Sequence, residues 1–386
     1  MGKPLSLQLL RWYPIYYRPR FLYSETSPVI GDRERTMIKL VNDRMLPLLI
    51  LFFTAMPSAA QVQAPSGDPK IILNGAHLER IFTGGCILTE GVASALDGTI
   101  YFSDITFTAT CQNDRGEKEA GHIWKYDPRT GKATIFRSPS GMSNGIKFNA
   151  AGDMIVAEGA DFGGRRIIRT DMTTGKSYVL AGLYGGRPLN APNDISIDEQ
   201  GRIYFSDPRY LGHEAMDQPT MAVYRIDLDG SLHRIITDAG KPNGVAIAPD
   251  QKTLYVVSND NGSIGMFRLG QDTPTHKGRM ALLAYDLSSE GSAKFREVLV
   301  DFAPQDGPDG LVMDMEGNLY VAVRDKTRPG INVYSPQGRE IARIPTELPT
   351  NVGFGRGAER KTLYITAGKS LYRIHLNMEG YQLPSR

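Results

Sequence analysis

The sequence predicts an all-β chain, a six-bladed β-propeller of four-stranded antiparallel blades, and three observations carry that expectation. A polar loop followed by two short strands recurs six times along the chain. The recurrences start roughly 40 to 66 residues apart, near the period of a four-stranded blade. Glycine at 41 and proline at 24 of 386 residues punctuate short apolar runs, as in all-β folds.

The repeating unit is plainest between Leu189 and Tyr210. Ile195 and Ile197 alternate with Ser196 and Asp198, Glu199-Gln200-Gly201 forms a tight turn, and Ile203 to Ser206 returns as a second strand. The matching loops are Thr89-Glu90-Gly91-Val92, Ser143-Asn144-Gly145-Ile146, Pro192-Asn193-Asp194-Ile195, Pro242-Asn243-Gly244-Val245, Pro308-Asp309-Gly310-Leu311 and Thr350-Asn351-Val352-Gly353. A turn glycine stands at one offset in four copies, as Gly98, Gly152, Gly201 and Gly317. The other two use Asp250-Gln251-Lys252 and Glu359-Arg360-Lys361. Third and fourth strands follow, for example Val223 to Asp227 and Leu232 to Ile236. Lys70 to Phe82 precedes the first loop and is expected to give the last blade its outer strand, closing the ring.

The propeller is expected over 61–386. Met37 to Gln61 holds a basic region, an apolar run Leu46 to Met56 and small residues before a cleavage point after Ala60, the grammar of a secretory signal. The run is about half of the roughly 20 residues that span a membrane. Residues 37–60 are therefore expected to be removed, with 1–36 an upstream, disordered extension and the mature protein periplasmic or secreted, without a membrane span. Cys86 and Cys111 could pair in such a compartment or remain thiols. Two cysteines alone make no structural zinc site, and the six histidines show no metal spacing.

Charge excludes some partners. Lys and Arg (44) nearly balance Asp and Glu (42), so no basic stripe serves a nucleic acid. In a propeller the first strand of each blade lines the channel, so equivalent loop residues converge on the axis. Those residues are Glu90, Asn144, Asn193, Asn243, Asp309 and Asn351, two acids and four carboxamides with no basic group. Asn and Asp also serve turns before strands, which is the plain alternative for Asn144 and Asn351. Two acids among side-chain amides suit a hard divalent cation with oxygen ligands, Ca²⁺ first, with Zn²⁺, Mn²⁺ or Mg²⁺ as alternatives.

The motifs Thr89-Glu90-Gly91, Leu189 to Asp194, Phe205-Ser206-Asp207-Pro208, Lys241 to Gly244, Gly307 to Gly310 and Thr362 to Gly368 resemble the regucalcin and gluconolactonase family, related to diisopropylfluorophosphatase and paraoxonase. The resemblance runs from about Leu88 to Leu376. It implies a metal held by Glu90, Asn193, Asn243 and Asp309, with Asp309 the proton acceptor. Asn144, Asn193 and Tyr210 are the expected substrate contacts, and the expected partner is a small lactone or sugar derivative.

Competing motifs are weaker. Gly141 to Gly145 matches the nucleophile-elbow string around Ser143, but that motif needs a helix where a strand follows here. Asn259-Asp260-Asn261-Gly262 reads as a turn that lacks the other ligands of a calcium loop. Ser103-Asp104 and Ser206-Asp207 end second strands at matching places. The reading reached is a metal-dependent lactone hydrolase, with Asp309 activating water. A non-catalytic sugar- or ligand-binding propeller and a phosphotriesterase-type hydrolase on the same site are the alternatives, since fold alone does not choose.

Overall fold

The computed structural model describes residues 63–105, 111–112, 115–210, 212–264 and 276–383. The expected signal segment and upstream extension lie outside the described residues. Ala59–Arg386 forms one compact unit.

Six antiparallel sheets follow one another along the chain, as the repeat predicts. Blade 1 is Leu88–Ser94, Ile100–Ile105, His122–Asp127 and Lys132–Arg137. Blade 2 is Ser143–Phe148, Met154–Glu158, Arg166–Thr170 and Ser177–Ala181. Blade 3 is Ile195–Ile197, Ile203–Asp207, Ala222–Ile226 and Leu232–Ile236. Blade 4 is Pro242–Ile247, Thr253–Asn259, Met280–Leu287 and Ala293–Asp301. Blade 5 is Leu311–Met313, Leu319–Val323, Gly330–Tyr334 and Glu340–Pro345, with a short fifth strand, Ser66–Gly67, on its outer edge. Blade 6 is Pro349–Phe354, Thr362–Ala367 and Ser370–His375, completed by Glu79–Thr83 from the start of the unit. Closure by the N-terminal segment is as expected. The extra strand at Ser66–Gly67 is too short for any sequence period to reveal.

Burial explains the strand sequences. Second strands are covered on both faces and read as continuous apolar runs, Leu319–Val323 being buried throughout. The core consists of wedges between neighbouring blades: Tyr204 and Val223 of blade 3 pack with Val245, Val256 and Leu283 of blade 4. A tyrosine recurs in the second strand, and being buried its hydroxyl needs a polar partner. Tyr204 donates to Asp198 and Tyr320 to Asp314, both at 3.2 Å, each acid sitting in the turn after its first strand.

Turn chemistry follows the pattern in four blades, and blade 6 turns instead through a 3-10 segment, Gly357–Glu359. Gly98, Gly152, Gly201 and Gly317 have φ of 84°, 85°, 86° and 80°, and Gln251 takes φ 61° at the same offset in blade 4. The left-handed glutamine is fixed by its side chain, which accepts from the Glu199 amide at 2.9 Å and donates to Tyr381 Oη at 2.8 Å. The cysteines are joined, with Cα atoms 5.0 Å apart. The bridge ties the loop before blade 1 to Cys111, which pairs through Cys111–Gln112 with Lys118–Glu119 in a small ribbon.

Candidate active site

The six loops do meet at one end of the channel. Four of them put a glycine directly after the polar residue, and the packing shows why. A Cβ on Gly91 would come within 2.1 Å of the Asn144 carbonyl oxygen, and one on Gly244 within 2.5 Å of the Asp309 carbonyl oxygen. Neighbouring first strands are that close at the axis, so only glycine fits. Blade 3 breaks the pattern with Asp194, whose carboxylate is spent inside the ring. Its oxygens accept from the Ile195 amide at 2.9 Å and the Val245 amide at 3.4 Å.

Above this constriction lies a cavity of about 230 Å³ lined by Glu90, Asn144, Asn193, Tyr210, Asn243 and Asp309, with Leu88, Ile105 and Met142 as apolar wall. Every residue expected from sequence as metal ligand, substrate contact or proton acceptor lines it. Each of the five loop residues is under a tenth exposed, so their polar atoms face the cavity or each other and not open solvent. Asn351, expected as a sixth member, does not line it. Its Oδ1 accepts from the Val352 amide at 2.8 Å and its side chain bonds Asp194, the turn role weighed against the site role.

The expectation of no basic group at the ring is corrected by Arg324. It extends from the end of the second strand of blade 5, and its Nη1 lies 3.2 Å from Asp309 Oδ2 and 2.8 Å from the Pro349 carbonyl oxygen. Arg324 follows a second strand, out of phase with the polar loops before first strands, so the repeat does not reveal it. The Asn259 to Gly262 turn also belongs to the site, since Asn259, Asn261 and Ser263 wall the cavity. Tyr210 reaches across to donate to the Asn259 carbonyl oxygen at 3.0 Å, and its ring lies 4.6 Å from Lys241 Nζ.

Electrostatics concentrate on the two acids. Burial first, then the Asp309 charge, raises the Glu90 carboxyl well above its ordinary range, against the pull of Arg324. Burial pushes Asp309 up to about 6, with Arg324 and a hydrogen bond from Asn243 acting in the opposite direction. Two buried carboxylates in such proximity invite a cation. The cavity residues Asn144 and Asn259 add two buried amide oxygens, Oδ1 in each, that no polar group among the described residues engages. This donor set fits an oxygen-seeking divalent ion.

The loops themselves are held by the acids at the ends of second strands. Asp207 accepts from the Asn190 and Ala191 amides at 2.9 and 2.7 Å, fixing the approach to Asn193. Burial pushes it up to about 7 despite those bonds. Asp104 does the same in blade 1, accepting the Cys86 amide at 2.8 and 2.9 Å and Trp124 Nε1 at 3.0 Å. Both are bracing groups and neither lines the cavity. Ser143 is fully buried at the start of a strand, where its hydroxyl points to the His122 carbonyl oxygen at 3.4 Å, so the nucleophile motif is a coincidence of letters.

Residues 88–369 match the profile of the SMP-30/gluconolactonase/LRE-like region. A gluconolactonase of Zymomonas mobilis is 30% identical over 261 residues, 64% of this chain and 65% of that enzyme, so the chain spans slightly less than two thirds of that relative. The diisopropyl-fluorophosphatase of Loligo vulgaris is 25% identical over 270 residues, covering 64% of this chain and 77% of that one. Among solved structures, a gluconolactonase from Xanthomonas campestris superposes with a TM-score of 0.65 at 25% identity, covering 82% of this chain and 96% of that one. A regucalcin from Agrobacterium tumefaciens, described as calcium-binding, shares the fold with a TM-score of 0.60 at 18% identity, over 80% of this chain and 96% of that one.

Proposed function

Because the chain belongs to the SMP-30/gluconolactonase/LRE-like family, we propose that it hydrolyses lactones, with Asp309 as the general base. The observation that carries this reading is Asp309 itself, a buried carboxylate in the cavity, ion-paired to Arg324 and poised near neutrality. The gluconolactonase relatives support the substrate class.

Glu90, Asn193, Asn243 and Asp309 would hold a divalent cation, Ca²⁺ being favoured by the mixture of carboxylate and carboxamide oxygens. Bound there, it would supply Lewis-acid polarisation of the ester carbonyl. The side chains do the rest. Asn144 and Tyr210 seat the ring over the loops, with the apolar wall of Leu88, Ile105 and Met142 covering its carbon face. Arg324 keeps Asp309 ionised beside Glu90, so that Asp309 can accept a proton from water as the water oxygen bonds the lactone carbonyl carbon. The ester C–O bond then breaks, and the proton held on Asp309 passes to the departing alkoxide, giving a hydroxy acid. No further reactant is needed.

The test is hydrolysis of a panel of aldonolactones by purified protein, with and without chelator. Ring-opening that chelator abolishes and added cation restores is the expected result. The relation to diisopropyl-fluorophosphatase motivates one other reading, phosphotriester hydrolysis on the same carboxylates, and a fluorophosphate substrate in that panel separates the two. An extracytoplasmic location is part of the proposal, motivated by the leader-like residues 37–60 and the Cys86–Cys111 bridge. Intact mass from the native host would then show a chain starting near Gln61, and an unprocessed mature chain would refute it.

A further inference from the structure

Behind the cavity wall, away from the axis, the fold gathers four ligand-type side chains that the proposed hydrolysis does not use. Cys86, Asp104, Cys111 and His122 each offer one atom, and these atoms lie within 4.8 Å of one another. Sequence spacing could not reveal the group, because two loops and two paired strands of blade 1 contribute to it. Asp104 and His122 face each other across the ladder as register partners. Cys86 and Cys111 arrive from the loops on either side.

The geometry around His122 is specific. Its Nδ1 lies 3.8 Å from the Cys86 sulfur and 3.7 Å from the Cys111 sulfur. Its Nε2 lies 3.0 Å from Glu119 Oε2 and 3.5 Å from the Cys111 sulfur. With metal–sulfur bonds of about 2.3 Å and metal–nitrogen bonds of about 2.0 Å, a tetrahedral ion separates its sulfur and nitrogen ligands by about 3.5 Å. Nδ1 is close to that distance from both sulfurs. An N–H on Nε2 donating to Glu119 leaves the Nδ1 lone pair for a metal, and a carboxylate behind the far nitrogen is the usual support of a zinc-bound imidazole. Asp104 completes the set with a carboxylate that already accepts backbone and indole N–H groups and is therefore fixed in place.

We propose that, when the Cys86–Cys111 bridge is reduced, Cys86, Cys111, His122 and Asp104 form a tetrahedral site for a Zn²⁺-class cation. The site is chemically distinct from the axial ring: thiolate and imidazole select a borderline-soft ion, whereas the ring offers oxygen alone. Reduction by a dithiol transfers two electrons and two protons to the bridge, and the dithiol leaves as its own disulfide. Binding of the cation then releases both thiol protons. Cys111, Asp104 and His122 are buried, and Cys86 is the half-buried member through which reductant and ion arrive. Leu88 and Ile105, two residues from Cys86 and one from Asp104, line the substrate cavity, so exchange of a covalent bridge for a metal bridge occurs directly behind its wall.

The test is an anaerobic Co²⁺ titration of the full chain, oxidised and then reduced with a phosphine. The expected result is an intense near-ultraviolet thiolate-to-cobalt charge-transfer band in the reduced protein alone, bleached by one equivalent of Zn²⁺. Oxygen ligands at the axis cannot give that band, so Glu90→Gln and Asp309→Asn should retain it. The double variant Cys86→Ser/Cys111→Ser should lose it, and either single variant should show it at about half strength at most. Glu119→Gln, which keeps every proposed ligand, should weaken affinity roughly 10- to 100-fold. Near-ultraviolet circular dichroism monitors the fold throughout. A folded, reduced wild type without the band overturns the proposal, as does a band that survives the double variant or is undiminished in Cys86→Ser. So does a reduced chain that loses its native dichroism and does not regain it with Zn²⁺.

Discussion

The two ends of the central channel are built from the same six strands and could hardly differ more. At the open end, where the strands begin, stand Glu90, Asn144, Asn193, Asn243 and Asp309, all buried and polar. At the other end the same strands present Phe148, Ile247, Met313 and Phe354, with Lys147 and Arg356 as the charged members, around a space of only about 80 Å³. The chain's own Tyr381-Gln382-Leu383 closes that space. Gln382 Nε2 donates to the Phe354 and Gly355 carbonyl oxygens at 2.7 Å each, and Arg356 Nη2 donates to the Leu383 carbonyl oxygen at 2.7 Å. Strand starts are free to carry chemistry because the apolar register is still to come, whereas strand ends must fill the ring. Acids at one mouth and cations at the other also orient a field along the axis, and Asp194, midway, feels both Lys147 and the acids above it.

The comparison breaks first at Asp309. Asp309→Asn should reduce lactone hydrolysis by about 10²- to 10⁴-fold while leaving the dichroism of the fold unchanged, since an amide can still ligate but cannot accept the proton. Hydrolysis at the wild-type rate would remove Asp309 from the base role. Residues that only close the far end should leave kcat alone.

A second contrast lies in how the open end is braced. The Asp207 carboxyl has a folded value of about 7 against 3.8 unfolded. A raised carboxyl value contributes stability that is fully present below about 3.8 and is lost as pH rises through about 7, a difference of about 4 kcal/mol at most. Asp207→Asn removes that dependence at the constant cost of one accepted hydrogen bond. Melting temperatures of variant and wild type should therefore shift in favour of the variant as pH rises from 4 to 7. Parallel curves would show that Asp207 does not titrate in this window.

Cation removal should act on the open end only. Chelator is expected to lower the melting temperature by a few degrees, corresponding to about 3 kcal/mol for an ion present at 100 times its Kd. Glu90→Gln should shrink that response. An unchanged melting curve together with no metal in elemental analysis would take the cation out of the ring.

The smallest effect belongs to the closed end. Gln251→Ala keeps the left-handed turn strain and loses the bonds to Tyr381 and Glu199, so about 1 to 2 kcal/mol of stability should be lost with no change in kcat or KM. A change in kcat would mean the two ends are coupled through the channel.

The recurrent polar residue, the glycine eight positions later in four copies and the alternating strands were sufficient to determine blade number, blade order and the convergence of Glu90, Asn144, Asn193, Asn243 and Asp309 on one cavity, while the choice of Glu90, Asn193, Asn243 and Asp309 as a metal set came from the family resemblance. Each of the first three is a local rule repeated in phase, which a sequence displays directly. The closing strand, Glu79–Thr83, was legible within Lys70 to Phe82, a stretch that stands before the first polar loop. Tertiary structure alone decided what enters the site out of phase. Arg324 and Asn259 reach the cavity from the ends of second strands, and Asn351 leaves it because Asp194 takes its amide. Cys86, Cys111, Asp104 and His122 meet only because strand register sets residues 18 apart opposite each other and loops fold back over them. Side-chain reach across strands depends on register, twist and loop path, and none of these is written at a fixed spacing along the chain.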